Sequence, residues 1–345
     1  GGAAVSRVLH DGWTYSNCSY VCSLLRPEIF RDLNLQKYGL QVLPYGGSVT
    51  FMQNGDIFGG YSDDDLARRE IGRFSKRDAD AYVRFARDVS RQCRFIKPML
   101  LRTPPDPTSF KPKDLGELIY LFKRLYSLGE QTIYDTIRFY TMSVAEYLDE
   151  YFESDVIKAA LSGSGIIGTG LGPYSPGTAY VLLHHYMGEV DGSIGSWGFA
   201  RGGMGSIAKA LADAFRDHDG ELLTDAEVSQ IIVKRGRAKG VVLSNGDEYY
   251  AKNIVSNLDV KRTYQKLFDP KDLSEKVLKQ VDNFKIRGSS GKLNIALDGI
   301  PEFPALGKNN PLILSDMHFI DSTERMERAY DDWKNGRWSR DPYTD

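Results

Sequence analysis

Three glycines near the middle of the chain have the spacing of a loop that holds a dinucleotide pyrophosphate. They are Gly163, Gly165 and Gly168, in the stretch GSGIIGTGLG. Such a loop needs a strand before its first glycine and a helix after its last, because the N–H groups of the helix N-terminus hold the phosphate. Here a helical pattern runs from Ser154 into the glycines, and Pro173 follows them. The glycines are therefore expected to end a helix and enter a close-packed loop.

Cysteine and histidine pairs are the other candidates for chemistry. Cys18 and Cys22 lie four residues apart, which is not the redox C-x-x-C spacing, so small buried apolar residues are expected there. His184 and His185 are adjacent, but no third ligand lies at a diagnostic spacing, which favours packed or hydrogen-bonded histidines over a metal site. The sequence contains no G-x-S-x-G, H-E-x-x-H or Walker motif, so it does not predict hydrolase chemistry.

Composition restricts the class of protein. The 345 residues are 41% apolar, enough for about two globular domains. The 44 basic and 46 acidic side chains nearly cancel, so nucleic-acid binding is not expected. The sequence has no apolar run of about 18 residues and no signal peptide, and its three cysteines favour a reducing compartment, so a cytoplasmic location is predicted. Because the chain opens on glycine without an initiator methionine, a fragment or processed chain is expected.

A hairpin followed by helices is predicted in the first half of the chain. Val49–Gln53 and Asp56–Phe58 flank Asn54-Gly55, the strongest short turn signal. From about residue 63 to 160 the apolar spacing becomes helical. Two motifs there resemble capping boxes, which are Ser75-x-x-Asp78 and Ser143-x-x-Glu146.

Residues 198 to 257 show the most regular pattern. Gly202-Gly-Met-Gly205 leads into a helix over Ser206–Phe215, and Gly220 follows as a stop. Asn245-Gly246 closes a tight hairpin in the short strands that follow. The predicted strands cover residues 221–223, 228–233, 240–243, 248–250 and 254–256. Lys292–Asp298 alternates as a half-buried strand of a second sheet does.

This order of motifs resembles the flavin-dependent phytoene desaturase and amine oxidase superfamily. Cys18–Glu28, Ser175–His185 and Gly202–Gly205 are similar to its phytoene-dehydrogenase-related branch, named for a pyridine nucleotide-disulfide oxidoreductase domain. The resemblance implies an α/β fold. A partial Rossmann-like FAD/NAD(P)-binding domain with a β-meander would comprise residues 1–47 and 198–260. A substrate domain, a mixed or antiparallel sheet covered by helices, would comprise residues 48–197 and 261–345.

In this family a strand, a G-x-G-x-x-G turn and a helix precede a Gly-Gly pair. Gly1-Gly2 resembles that pair, so the pyrophosphate-binding unit is expected to lie upstream of it. The family's glycine-rich C-terminal segment is likewise expected beyond Asp345. Ala3 stands where many amine oxidases have an arginine. The resemblance therefore implies an FAD site that this chain contains only in part.

The resemblance also implies roles for particular residues, although it implies no catalytic side chain. FAD would contact Gly1, Gly2, Ser19, Tyr20 and the backbone of Val228. The substrate cavity beside the flavin would be lined by Arg201, Gly202, Gly203 and Met204. Two plainer interpretations stay open: Val228 as an ordinary core residue, and the glycines as the start of a helix.

The implied activity is that of an FAD-dependent oxidoreductase that transfers a hydride from a small hydrophobic substrate to the flavin. The alternative is a non-catalytic interaction or scaffold protein that retains the fold. The basic and aromatic segments Phe110–Lys113 and Phe122–Arg124 would either contact a membrane surface or form an ordinary solvated helix face. A mitochondrial matrix location is the alternative to the cytoplasm, and the oligomeric state is open.

Overall fold

A computed structural model describes residues 2–127, 129–307 and 310–344. The chain forms two compact units. The larger unit comprises Gly1–Ala214 and Ser289–Asp345, and the smaller unit comprises Phe215–Gly288. The four-segment division into FAD and substrate domains stays a prediction.

Helices are the main regular structure of the larger unit. The helices are α1 (Pro27–Asp32), α2 (Asp64–Phe74), α3 (Lys76–Ile96), α4 (Pro112–Tyr126), α5 (Glu130–Thr141), α6 (Val144–Asp149), α7 (Asp155–Ile166), α8 (Thr178–Tyr186), α9 (Gly205–Asp217), α10 (Glu275–Asn283) and α11 (Thr323–Lys334). The boundary between the units falls within α9, and α10 belongs to the smaller unit. Within the described ranges, no helix is both long enough and apolar enough to cross a bilayer.

The strands are short and form several small sheets. They are β1 (Ser6–His10), β2 (Trp13–Ser16), β3 (Val42–Pro44), β4 (Gly47–Phe51), β5 (Ile57–Tyr61), β6 (Glu189–Val190), β7 (Ser193–Ile194), β8 (Gly198–Ala200), β9 (Val228–Lys234), β10 (Arg237–Leu243), β11 (Glu248–Tyr250) and β12 (Asp316–His318). In the larger unit β1 pairs with β2, β3 with β8 and β6 with β7, all antiparallel.

The remaining sheet of the larger unit is mixed, in the order β12-β4-β5. β4 and β5 form the predicted hairpin around Asn54-Gly55, where Gly55 has a φ of 85° that glycine adopts readily. β12 lies parallel to β4, with Met317 opposite Val49. Helix α2 packs on β5. This combination of a mixed sheet with covering helices confirms the predicted α/β class.

The smaller unit contains the predicted meander. β10 pairs antiparallel with both β9 and β11, so the strand order is β11-β10-β9. Asn245-Gly246 connects β10 to β11, and Gly246 has a φ of 94°. The local turn and strand signals therefore predicted the three paired strands of the meander correctly.

Three other predicted strands are wrong. Residues 221–223, 254–256 and 292–298 have no strand structure. In the last of these segments Leu293 is 80% exposed and Ile295 66% exposed. An alternating pattern identifies a face that a strand would bury, but a strand also needs a hydrogen-bonding partner. These segments pair with no strand in the described part of the chain.

An aromatic core holds the helices of the larger unit together. Phe85 of α3 is 1% exposed and lies at its centre. Its ring contacts those of Tyr82, Tyr147, Tyr151, Phe152 and Tyr186. These contacts join α3 to α6, to the segment after it, and to α8, so one face of α3 points into the core and the other faces outward.

The glycines at 163 to 172 serve close packing, as the sequence predicted. Gly163 and Gly165 lie in α7, which ends at Ile166. A side chain at Gly163 would collide with the Tyr343 hydroxyl, and one at Gly165 would come within 2.8 Å of Val144 Cβ. Gly168 follows the helix with a φ of 73°. Gly163 and Gly165 therefore let α7 approach its neighbours closely, whereas Gly168 supplies a positive φ after the helix.

Candidate functional site

The β1–β2 hairpin gathers several residues to which the sequence assigned FAD contacts. After β2 the backbone returns alongside the N-terminal segment. The N–H of Asn17 donates to Val5 O at 2.9 Å, and the N–H of Ser19 donates to Ala3 O at 3.1 Å. Gly2, adjacent to Ala3, has a φ of 61° and nothing within 4 Å of the place a Cβ would occupy. Gly1 lies outside the described residues. The structure thus brings Gly2 close to Ser19.

The glycine-rich segment before α9 packs against the same hairpin. The N–H of Met204 donates to Ser16 Oγ at 3.0 Å, and that of Gly205 donates to Ser6 Oγ at 2.9 Å. A Cβ at Gly203 would lie 2.6 Å from Ser6 Oγ, and one at Gly205 would lie 2.8 Å from Ser6 N. These glycines therefore allow close approach of the hairpin, whose hydroxyls accept hydrogen bonds from amides at the start of α9.

The residues predicted to line a substrate cavity do not share one environment. Met204 is 5% exposed and packs in an apolar cluster with residues of α9. Arg201 is exposed, and its guanidinium donates to Gln41 Oε1 at 3.1 Å. Gly202 and Gly203 lie between them, with φ values of 83° and 84°. The backbone conformation and packing at Gly202 and Gly203 explain why glycine is needed there. The location of these residues beside a substrate therefore stays a prediction.

Lys292 contacts the predicted FAD-binding segment, and the sequence analysis did not single it out. Its Nζ donates to Ser16 O at 2.5 Å and lies 5.4 Å from the centroid of the Tyr20 ring. Partial desolvation of the ammonium group lowers the pKa of Lys292. The only signal in the sequence was a lysine that opens an alternating apolar run. The structure thus places a cation beside a predicted flavin-contacting residue.

Val228 belongs to the smaller unit. It opens β9, is partly buried, and pairs with Leu243 of β10. The next strand residue, Ser229, donates from its hydroxyl to Val242 O at 3.1 Å. The predicted role of the Val228 backbone beside an adenine stays a prediction.

Both histidines are packed against other rings, and His185 is also hydrogen-bonded, in agreement with the predicted packed or hydrogen-bonded histidines. His185 is 7% exposed, its Nδ1 donates to Val181 O at 2.9 Å, and its ring stacks on Trp197. Burial lowers the pKa of His185, and it lowers the pKa of His184 as well. Among the residues that the structure describes, no group of three or more His, Cys, Asp or Glu side chains could hold a metal ion.

The lowered pKa of His185 predicts a loss of stability in mild acid. The unfolded chain, with a histidine pKa near 6.5, binds the proton more tightly than the folded one. The stability contribution of neutral His185 is therefore fully present above the unfolded-state pKa. It is lost as the pH falls through the lower pKa that His185 has in the folded protein. We expect the urea midpoint to fall between about pH 7.5 and about pH 5.5, and to fall less in a His185→Gln variant. A His218→Gln control, at an exposed position, should keep the wild-type difference.

Comparison with known proteins identifies the family. The family described as flavin containing amine oxidoreductase matches residues 135–337, more than half of the chain. Mouse pyridine nucleotide-disulfide oxidoreductase domain-containing protein 2 is 31% identical over 99% of this chain. A neurosporene-forming phytoene desaturase of Rhodobacter capsulatus is 27% identical over 64% of this chain and 38% of its own length. The chain therefore belongs to the flavin-containing amine oxidoreductase family, whose cofactor is FAD.

The comparisons also show how much of its relatives the chain represents. It spans 62% of the length of the mouse protein. A solved oxidoreductase from Methanosarcina mazei aligns with 82% of this chain and 57% of its own, with a TM-score of 0.49 and 13% identity. The family match and the mouse relative confirm the resemblance recognised from the motifs, and the chain covers part of the length of these proteins.

Proposed function

We propose that the protein is an FAD-dependent oxidoreductase that removes a hydride from a C–H bond of a small hydrophobic substrate. Family membership supports the flavin and the reaction class. The observation that carries the proposal is the convergence of Gly2, Ser19, Tyr20 and Lys292 around the β1–β2 hairpin. The Rhodobacter relative is named a phytoene desaturase, and only the general class of a hydrophobic substrate is extended from it to this chain.

The residues around the hairpin fit a flavin. FAD, when bound, supplies the hydride acceptor. Lys292 holds an ammonium group beside the Tyr20 ring, and its hydrogen bond to Ser16 O fixes that group in place. A fixed cation next to an aromatic ring suits a planar ligand that gains negative charge during the reaction. The cation stabilises the ligand's negative charge, and the protein does not have to rearrange to provide it. Gly2 and Ser19 would hold the same cofactor.

Replacing Lys292 with methionine should weaken FAD binding about tenfold, the effect of losing one charge-assisted hydrogen bond. Binding is measured by quenching of flavin fluorescence as the purified chain is titrated into FAD. A Lys76→Met variant, altered at an exposed lysine at the start of α3, should bind as the wild type does.

Two results would contradict this assignment. Equal FAD affinity in the Lys292→Met and Lys76→Met variants would remove Lys292 from the site. A protein expressed from the complete reading frame that is folded by circular dichroism but binds no FAD would favour the non-catalytic scaffold instead.

We also propose peripheral contact with a membrane through one face of α4. Ile119, Phe122 and Tyr126 lie on one side of this helix and are 54%, 68% and 79% exposed. Phe110, just before the helix, is 90% exposed. Lysines at 111, 113 and 123 accompany this face, as in helices that lie on anionic bilayers. Such a surface would admit a lipophilic substrate.

The cysteines support a reducing location. Cys18, Cys22 and Cys93 are all free thiols. Cys22 and Cys93 are buried, and burial raises the pKa of Cys93 to about 12, which makes it a poor nucleophile. We propose the cytoplasm as the location, with the mitochondrial matrix as the alternative.

A further inference from the structure

A cavity lined by arginines opens between α2, α3 and α4 in the larger unit. Its volume is about 660 Å³. The cations at its walls are Arg68, Arg87, Arg91, Arg94 and Arg124. Asp64 is the single carboxylate among its lining residues. The whole chain has a formal net charge of -2, so this positive charge is a local concentration and does not reflect the overall composition.

The sequence of α3 explains why three of these arginines face outward together. Arg87, Arg91 and Arg94 are spaced at i, i+4 and i+7, which places them on one side of a helix. The opposite side holds Phe85 and Val89, 1% and 2% exposed in the aromatic core. Because the core fixes the rotation of α3, the arginines cannot turn away from one another. Arg87 and Arg91 are like charges at i and i+4, a pairing that destabilises a helix.

The carboxylates in and around the cavity neutralise little of the arginines' positive charge. In the described part of the chain, the guanidinium groups of Arg87 and Arg94 have no ion pair or hydrogen bond. The nearest carboxylate to Arg91 is that of Asp88, at 3.9 Å, beyond hydrogen-bonding distance. The contact of Arg68 with Asp80 is 3.4 Å long and exposed, and such pairs contribute little.

Arg124 is fixed on the α4 side of the cavity. Its guanidinium donates to Arg94 O at 2.9 Å and to Phe95 O at 3.0 Å, near the end of α3. Its charge also lies over the Phe95 ring, 5.5 Å from the centroid. These contacts hold Arg124 without cancelling its charge. Tyr82, Val83 and Phe95 give the cavity apolar wall as well.

We propose that this cavity binds a phosphate-bearing ligand that also has an apolar part. Planar guanidinium groups bind phosphate oxygens in pairs, and several unpaired ones in a concave site favour a multiply charged anion. The aromatic wall accommodates the apolar part. No residue of the flavin cluster at the β1–β2 hairpin lines the cavity, so this second site does not depend on the proposed redox function. A soluble organic phosphate and the headgroup of an anionic lipid share this chemistry.

Calorimetric titration with inorganic pyrophosphate at low ionic strength tests the site. An Arg87→Gln/Arg94→Gln variant should bind at least about tenfold more weakly than the wild type. Its melting temperature should not fall, because both side chains are exposed and unpaired and their removal relieves like-charge repulsion along α3. An Arg31→Gln/Arg340→Gln variant removes the same charge at exposed positions outside the cavity and should bind as the wild type does.

Vesicles distinguish the two sources of phosphate. Binding to phosphatidylglycerol vesicles but not phosphatidylcholine vesicles, lost in the Arg87→Gln/Arg94→Gln variant, would identify a lipid headgroup. Pyrophosphate binding without vesicle binding would identify a soluble phosphate. The proposal is overturned if wild-type protein binds neither probe, or if the two double variants bind equally well. It is also overturned if the cavity variant loses FAD binding, which would place these arginines at the flavin site.

Discussion

Replacing Gly165 with alanine should lower the free energy of unfolding by about 2 kcal/mol. The new methyl group would lie 2.8 Å from Val144 Cβ and 2.9 Å from both of its γ carbons. Val144 is fully buried and branched at Cβ, so it has few rotamers into which to retreat. Separation of α7 from α6 would instead open gaps in the core. Urea denaturation followed by circular dichroism measures the change.

The same substitution in α4 provides a matched control. Gly116 is exposed, and nothing lies within 4 Å of the place its Cβ would occupy. Gly116→Ala should therefore raise the free energy of unfolding by roughly 0.7 kcal/mol, the difference in helix propensity between the two residues. Loss of stability in both variants, or in neither, would contradict the packing explanation for the glycines of α7.

A double substitution shows whether Val144 is the cause. Val144→Ala removes the two methyl groups that the new side chain meets. In the combined variant, the alanine at 165 should cost less than it does alone, because the two sites are in direct contact. Additive losses would indicate that α7 is strained by some other neighbour.

Local signals in the sequence predicted local structure well. The two Asn-Gly pairs became hairpin turns, because a tight turn depends on the residues within it. Ser143 and Glu146 form a complete capping box, with both reciprocal hydrogen bonds present. The alternating segment Lys292–Asp298 failed as a strand, because pairing depends on a partner that its own residues do not specify.

The candidate site was predictable only where motif order indicated it. Ser19, Tyr20 and the glycines from 202 to 205 came from resemblance to a family, and the structure places these segments at one hairpin. Lys292 was missed because its partner Ser16 lies 276 residues away. Arg124 likewise meets Arg94 and Phe95 only through the packing of α4 on α3. The spacing of residues within one segment does not predict contacts between segments that are far apart in the sequence.

Asp78 shows how a correct motif can hide a larger role. The motif Ser75-x-x-Asp78 predicted a reciprocal capping box, and Ser75 Oγ does accept from the Asp78 N–H at 3.1 Å. The Asp78 carboxylate, however, does not accept the reciprocal hydrogen bond from the Ser75 N–H. Its two oxygens accept from the N–H groups of Glu153 and Ser154, each at 2.9 Å. Asp78 thus caps the backbone that leads into α7, and Ser154 makes no side-chain cap of its own.

Replacing Asp78 with alanine should therefore lower the free energy of unfolding by about 3 kcal/mol, because two amides at the start of α7 lose their acceptor. Asp78 is fully buried, so water cannot replace the lost oxygens without rearrangement of α3 and α7. Asp78→Asn keeps one acceptor oxygen and should lose roughly half as much. Asp80→Ala removes an exposed carboxylate from the same helix and should change stability by less than about 0.5 kcal/mol. Urea denaturation of the three variants measures these differences, and an Asp78→Ala loss no greater than that of Asp80→Ala would show that α7 does not depend on this cap.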